Sequence, residues 1–169
     1  MSYTISSLTR RSMSQMFHAL DRVLEKGEQA AKAAGRPETE YLEARLAADM
    51  FPLKTQVQLA SEMVRRLADA SGLETAALPD ADASFADLRA RVAAARELLR
   101  SLPADRLDRD PDGQIELPMG GGGLRVERAR YVQGFILPNF YFHATTAYAI
   151  LRHLGVPVGK ADFLAMTPR

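Results

Sequence analysis

Three histidines, His18, His143 and His153, and no cysteine are all that this sequence offers in imidazole or thiolate chemistry. The missing cysteines exclude disulfides, thiolate zinc sites, iron–sulfur ligation and cysteine nucleophiles together. Direction around a helix separates the histidines, because successive residues step by about 100° around the axis. His18 falls opposite the apolar stripe of Met13, Met16, Phe17, Leu20, Val23 and Leu24, beside Ser14, Asp21, Arg22 and Glu25. That predicts a solvated side chain. His153 stands away from its apolar face near a helix end, where the helix dipole favours a cation. His143 shares a face with Phe140, Ala147, Ile150, Leu151 and Leu154 and is predicted to point inward. A buried imidazole needs partners for its nitrogens, so either a satisfied core histidine or a working pocket follows.

The polar residues able to meet it are few. Asp49 lies about 50° from the centre of a second apolar stripe and so half faces inward, with Arg45 and Gln56 on the same edge. Two readings stand for Asp49. It forms a surface ion pair with Arg45, four residues earlier, or it joins a carbonyl freed by Pro52 to receive a ligand or the ring of His143. Asn139, one turn before His143, would add a further hydrogen bond.

Other signals carry less chemistry. The Gly120 to Gly123 run lacks the Lys-Ser/Thr and the following helix of a phosphate-binding loop, and reads as a hairpin tip. Phe140, Tyr141, Phe142 and Tyr148 have no basic stripe among them, which favours core packing and a helix interface over base stacking. No HExxH and no nucleophile-elbow pattern occurs. Lysine plus arginine (22) against aspartate plus glutamate (21) gives a net charge of +1, so no general field holds nucleic acid or an anionic membrane.

Positioning these residues falls to helices. With 169 residues, 47% of them apolar and 25% charged, the chain has ordinary globular composition and length for one core, read as a single domain over 1–169. The spacing predicts a first helix from near Ser7 to Ala34, ended by Gly35-Arg36-Pro37. A second starts near Glu38 and carries Leu42, Leu46, Met50, Leu53, Val57, Ala60, Val64 and Leu67 on one face, with a kink or local break near Asp49 caused by Pro52. Ser71 to Ser84 is a surface connection. Ser84 caps a third helix with the face Phe85, Leu88, Val92, Ala95 and Leu99, closed by Pro103. Ile115-Glu116-Leu117 and Leu124-Arg125-Val126 form a small hairpin. Asn139 to Leu154 is the fourth helix, closed by Gly155 and followed by a short tail. The expected fold is all-α: a four-helix bundle with a small β-hairpin before the last helix.

Two longer stretches are specific: RLAADMFPLKTQVQLASEM, residues 45–63, and LPNFYFHATTAYAILRHLGVPVGKADFL, residues 137–164. Together they resemble an uncharacterised domain-of-unknown-function family of the DinB/YfiT-like superfamily. The positions matching this branch's own motif are Arg45, Asp49, Pro52, Gln56, His143, Tyr148, Gly155, Lys160 and Asp162. The resemblance implies a DinB-like bundle, often dimeric, among putative metalloenzymes that include thiol-dependent S-transferases and isomerases. It also implies a metal site of three histidines, one from the second helix and two, four residues apart, late in the chain. Here the late pair is His143 and Ala147, and the second helix offers only Asp49 or Gln56. One ligand of three, His143, is present, which argues against a tightly held zinc or nickel.

The leading expectation is a cytoplasmic homodimer that binds a small molecule in a polar cleft around His143 and Asp49, with Gln56, Asn139, Arg45 and Tyr148 nearby. It has no nucleic-acid or membrane partner, since no apolar stretch reaches the ~18 residues of a membrane span and the start has no apolar core. The alternatives are a metal- or thiol-dependent S-transferase or isomerase, and a structural or partner-binding module without catalysis.

Overall fold

The computed structural model describes residues 4–119 and 122–166. Gly120 and Gly121, in the predicted hairpin tip, and the last three residues of the tail lie outside them. The elements are α1 (Ile5–Ala34), α2 (Glu38–Leu42), α3 (Leu53–Ala70), α4 (Phe85–Ser101), α5 (Ala104–Asp108), strands β1 (Gln114–Met119) and β2 (Gly122–Glu127), α6 (Arg128–Tyr131), a π-turn (Val132–Ile136), α7 (Leu137–His153) and α8 (Lys160–Phe163). The four long helices form a bundle in which α1 and α3 each pack against both α4 and α7.

Helix α1 is specified at both ends. Thr4 accepts from the Ser7 amide at 3.2 Å while Ser7 accepts from the Thr4 amide at 3.0 Å, a reciprocal cap that starts the helix two residues before the predicted Ser7. Asp108 adds two acceptors for Ser6, at 2.7 and 2.6 Å, and so anchors α5 to this end. Gly35 closes the other end at φ 61°, where a side chain would be strained. The predicted stripe from Met13 to Leu24 is buried, as is the face Phe85, Leu88, Val92, Ala95 and Leu99 of α4. Ser84 caps α4 by accepting from the Asp87 amide at 3.1 Å. The hairpin is antiparallel, with Ile115 opposite Val126.

Two predicted helices are corrected. The second is not one kinked helix: α2 ends at Leu42 and α3 begins at Leu53, with ten residues of turn and extended chain between. Pro52 removes an amide and restricts Phe51 to extended backbone, so helix cannot pass through the pair. Pro52 instead becomes the cap residue of α3, and the Leu53 amide closes the loop on Ala44 O at 2.9 Å. Leu46 is consequently 43% exposed and Met50 half-buried rather than core residues.

The fourth helix starts at Arg128, eleven residues before the predicted Asn139, and reaches His153 through α6, the π-turn and α7. Pro138 sits inside it because the π-turn widens the backbone there: the Leu137 amide reaches Val132 O, five residues back. Gly155, at φ 85°, then ends the helix as predicted. The tail folds back, with Val156 and Val158 buried, and Asp162 ties it to α1 through Lys26 at 2.7 Å and to the Gly159 amide at 2.9 Å. These bonds hold the Asp162 carboxyl below its ordinary range, Lys26 being the largest cause.

Candidate functional site

His143 sits on α7 where it packs against α3, and the residue is 9% exposed. Its partner is Gln56, in the first turn of α3, whose Oε1 lies 2.7 Å from His143 Nδ1. The Gln56 Nε2 donates at 3.0 Å to the carbonyl of Phe51, the residue before Pro52. This chain fixes the tautomer. A backbone carbonyl only accepts, so the amide nitrogen must face Phe51 and the amide oxygen must face His143. The amide oxygen also only accepts, so His143 Nδ1 carries a hydrogen and donates it. In the neutral ring Nε2 is then a bare acceptor at the tip. Burial pushes the imidazole below its ordinary value of 6.5, which favours that neutral form. Nε2 has no hydrogen bond to a described residue, and it is not one of the buried polar atoms left without a partner, so the tip reaches solvent.

Beside the ring runs an open groove of about 520 Å³ between α7 and the segment joining α2 to α3. Leu46 and Met50 form one wall, and Pro138, Tyr141, Phe142 and Thr146 lie along the other. His143 borders it through two neighbours. Phe142, 58% exposed, stands edge-on to the His143 ring with centroids 5.3 Å apart, and Thr146 is the next residue along on the same side of α7. The volume falls in the ~300–1,000 Å³ range of small-molecule sites.

Of the other predicted site residues, Asp49, Arg45, Asn139 and Tyr148, none joins this pair. Asp49 is exposed in the α2–α3 segment rather than half inward, because the break at Pro52 destroys the helical phase that aimed it. It makes no ion pair with Arg45, whose Nη1 donates to Met50 O at 3.2 Å. Asn139 donates to Phe135 O at 2.8 Å, covering a carbonyl of the π-turn, instead of bonding His143. Tyr148 packs against Phe163 of α8 with centroids 5.4 Å apart. His18 is half-buried with polar or ring contacts of its own, not the solvated side chain predicted, and His153 is exposed in the last turn of α7. Leu46, Met50 and Phe142 were not anticipated as site residues. The signal available for them was the apolar run around Phe51-Pro52, which cannot be buried in a continuous helix.

The geometry defines a class: a helical bundle that seats a histidine of its last long helix against α3. A crystal structure of a DinB family member protein from Shewanella denitrificans matches at a TM-score of 0.83 and 32% identity, covering 97% of this chain and 93% of that one. The family model described as Domain of unknown function (DUF1993) matches residues 5–164, and the chain belongs to that family, within the DinB-like superfamily. No curated protein matches it.

The three-histidine metal set implied by the superfamily does not fit the side chains found here. Ala147 is buried and has no donor atom, Gln56 spends its amide oxygen on His143, and Asp49 is exposed on the loop. Among the described residues no group of three or more His, Cys, Asp or Glu is arranged to hold a metal ion. No helix of the described residues is long and apolar enough to cross a membrane.

Proposed function

We propose that this DinB-like protein binds a small molecule in the groove along α7, beside the His143–Gln56 pair. One observation carries the reading: an open apolar groove lined by Leu46, Met50, Pro138, Tyr141, Phe142 and Thr146 runs along α7, and the residue next to Phe142 is the buried His143 held by Gln56. An apolar concavity of this size is the ordinary setting of a small-molecule site. Asp49 is exposed on the segment that carries Leu46 and Met50. Titration with phenol followed by amide and ring NMR tests this. Saturable shifts confined to residues 46–51 and 138–149 are expected, and shifts that are absent there or scattered over the surface overturn it.

A second reading, a partner-binding face, is favoured by exposed apolar side chains. Leu46, Phe51, Phe135, Tyr141 and Phe142 are each between 37% and 58% exposed around α7, and no charged residue occurs from Leu137 to Leu151. A second copy covering this face would make the homodimer expected from the sequence, its groove lying at the interface. Sedimentation across a concentration series decides it: a dimer lost in Phe142→Ser supports this use of the face, and a monomer at every concentration removes it.

A further inference from the structure

The cavities elsewhere offer less. One of about 210 Å³ lies between α1 and the α6 region, but its carboxylate, Asp108, is already spent on Ser6. Glu62 is shared by Arg65 at 2.9 Å and Arg91 at 3.6 Å, yet the Nε atoms that these guanidiniums leave without a partner are sealed from solvent. The outer face of α7 and the α2–α3 segment differs, because one patch carries a projection, a recess and two charges of opposite sign.

We infer that a second copy of this chain closes that face around a two-fold axis, each Phe142 seated in the other copy's groove and each Arg45 paired with the other copy's Asp49. The inference rests on the second reading above and adds how the two copies are matched. A two-fold interface sets one patch against itself, so each residue and its contact must both belong to the same patch. For shape this patch holds both. Phe142 and Phe51 stand exposed, and the groove between Leu46 and Met50 on one side and Pro138 and Tyr141 on the other is open to receive a ring. For charge it also holds both. Arg45 and Asp49, the chain neighbours of the wall residues Leu46 and Met50, are exposed and of opposite sign. Neither makes an ion pair among the described residues. The Arg45 Nη1 donates to Met50 O, which keeps the guanidinium at the wall, and the Asp49 carboxylate has no hydrogen bond of its own. A patch of one sign would repel its own copy, whereas this one complements it. A strongly acidic or basic partner finds no net charge here to select it, and no charge on α7 from Leu137 to Leu151 opposes close approach.

Sedimentation at low ionic strength, where exposed pairs are least screened, tests the matching with Arg45→Asp and Asp49→Arg. Each substitution sets like charges opposite one another at both pairs, and each variant alone should dissociate about tenfold more readily than the native dimer. Mixed in equal amounts, the two variants should form a heterodimer of near-native affinity, because every pair is then restored across the axis. A change confined to the loop of each variant cannot produce that recovery. A native dimer that is lost in Phe142→Ser but is indifferent to both charge reversals, or weakened variants that do not recover on mixing, overturns the pairing and leaves the partner face intact. A native protein that is monomeric at every concentration overturns both and leaves the groove to a small molecule.

Discussion

Along the contact of α1 with α4, Phe17, Leu20, Leu24, Phe85, Leu88 and Val92 face the interior and charges occupy the outside, with Arg89 held to Asp21 at 2.8 Å. At the contact of α3 with α7 a polar pair is buried among the apolar side chains. Gln56 and His143 are inside, 1% and 9% exposed, while Phe142 and Leu46 face outward. Both pairs belong to one core, so the contrast is local. The first region is arranged as burial of apolar area demands. The second buries one hydrogen-bonded polar pair and leaves Phe142 exposed beside it, an arrangement consistent with recognition. The close approach at Gly27 makes the same point, since a Cβ there would lie 2.8 Å from Phe85. At Gly27 α1 and Phe85 are packed too closely for a side chain.

The comparison can be broken by substitution. The largest effect is expected from Phe85→Ala, which empties a fully buried site and should cost about 3–5 kcal/mol. Thermal unfolding should show this as a fall of about 10 °C. Phenol binding below the transition should remain, and its loss would mean that the two regions are not separate. Asp162→Ala removes the bonds to Lys26 and the Gly159 amide and should cost about 2 kcal/mol in urea unfolding. Amide exchange should quicken over residues 156–164 and leave the α3–α7 seam unchanged. Phe142→Ser should do the opposite of Phe85→Ala. Its exposed ring contributes less than about 1 kcal/mol to stability, yet phenol affinity should fall several-fold.

The smallest effect is a pH dependence. Burial sets the folded-state pKa of His143 below the ordinary 6.5, so the unfolded chain takes up the proton first as pH falls. Stability should be full above about 6.5, decline below it, and stop declining once the pH is under the folded value. Asp108 and Asp162, both lowered from 3.8, act in a separate window: their contributions are present above that value and are lost as pH falls through their folded pKa. Urea unfolding at successive pH values should therefore show an upper limb that is absent in His143→Gln. A limb that persists in the variant would assign it to another group.

Much of the fold was legible because the decisive signals were local. Helix α1 has its stripe and Gly35, and α4 has Ser84 and its face, and each reads within a few residues. His143 was legible for the same reason, since the neighbours that define its direction all lie after the π-turn and share one phase. Asp49 was misread because a helical wheel carries phase across Pro52, where the backbone does not. The early start of the last helix was hidden by Pro138, an ordinary helix-breaking signal that the π-turn accommodates. Gln56 was visible as a polar residue at the edge of a stripe. Its partnership with His143 was not, because that depends on how α3 and α7 are set side by side, 87 residues apart.

The central claim is the proton arrangement on His143, and the nitrogen resonances of its ring report it directly. In labelled protein at neutral pH, the account predicts a protonated Nδ1 and an unprotonated Nε2. A ring protonated at Nε2 and bare at Nδ1 would contradict it, because the Gln56 amide would then have to be turned the other way and could not donate to Phe51 O.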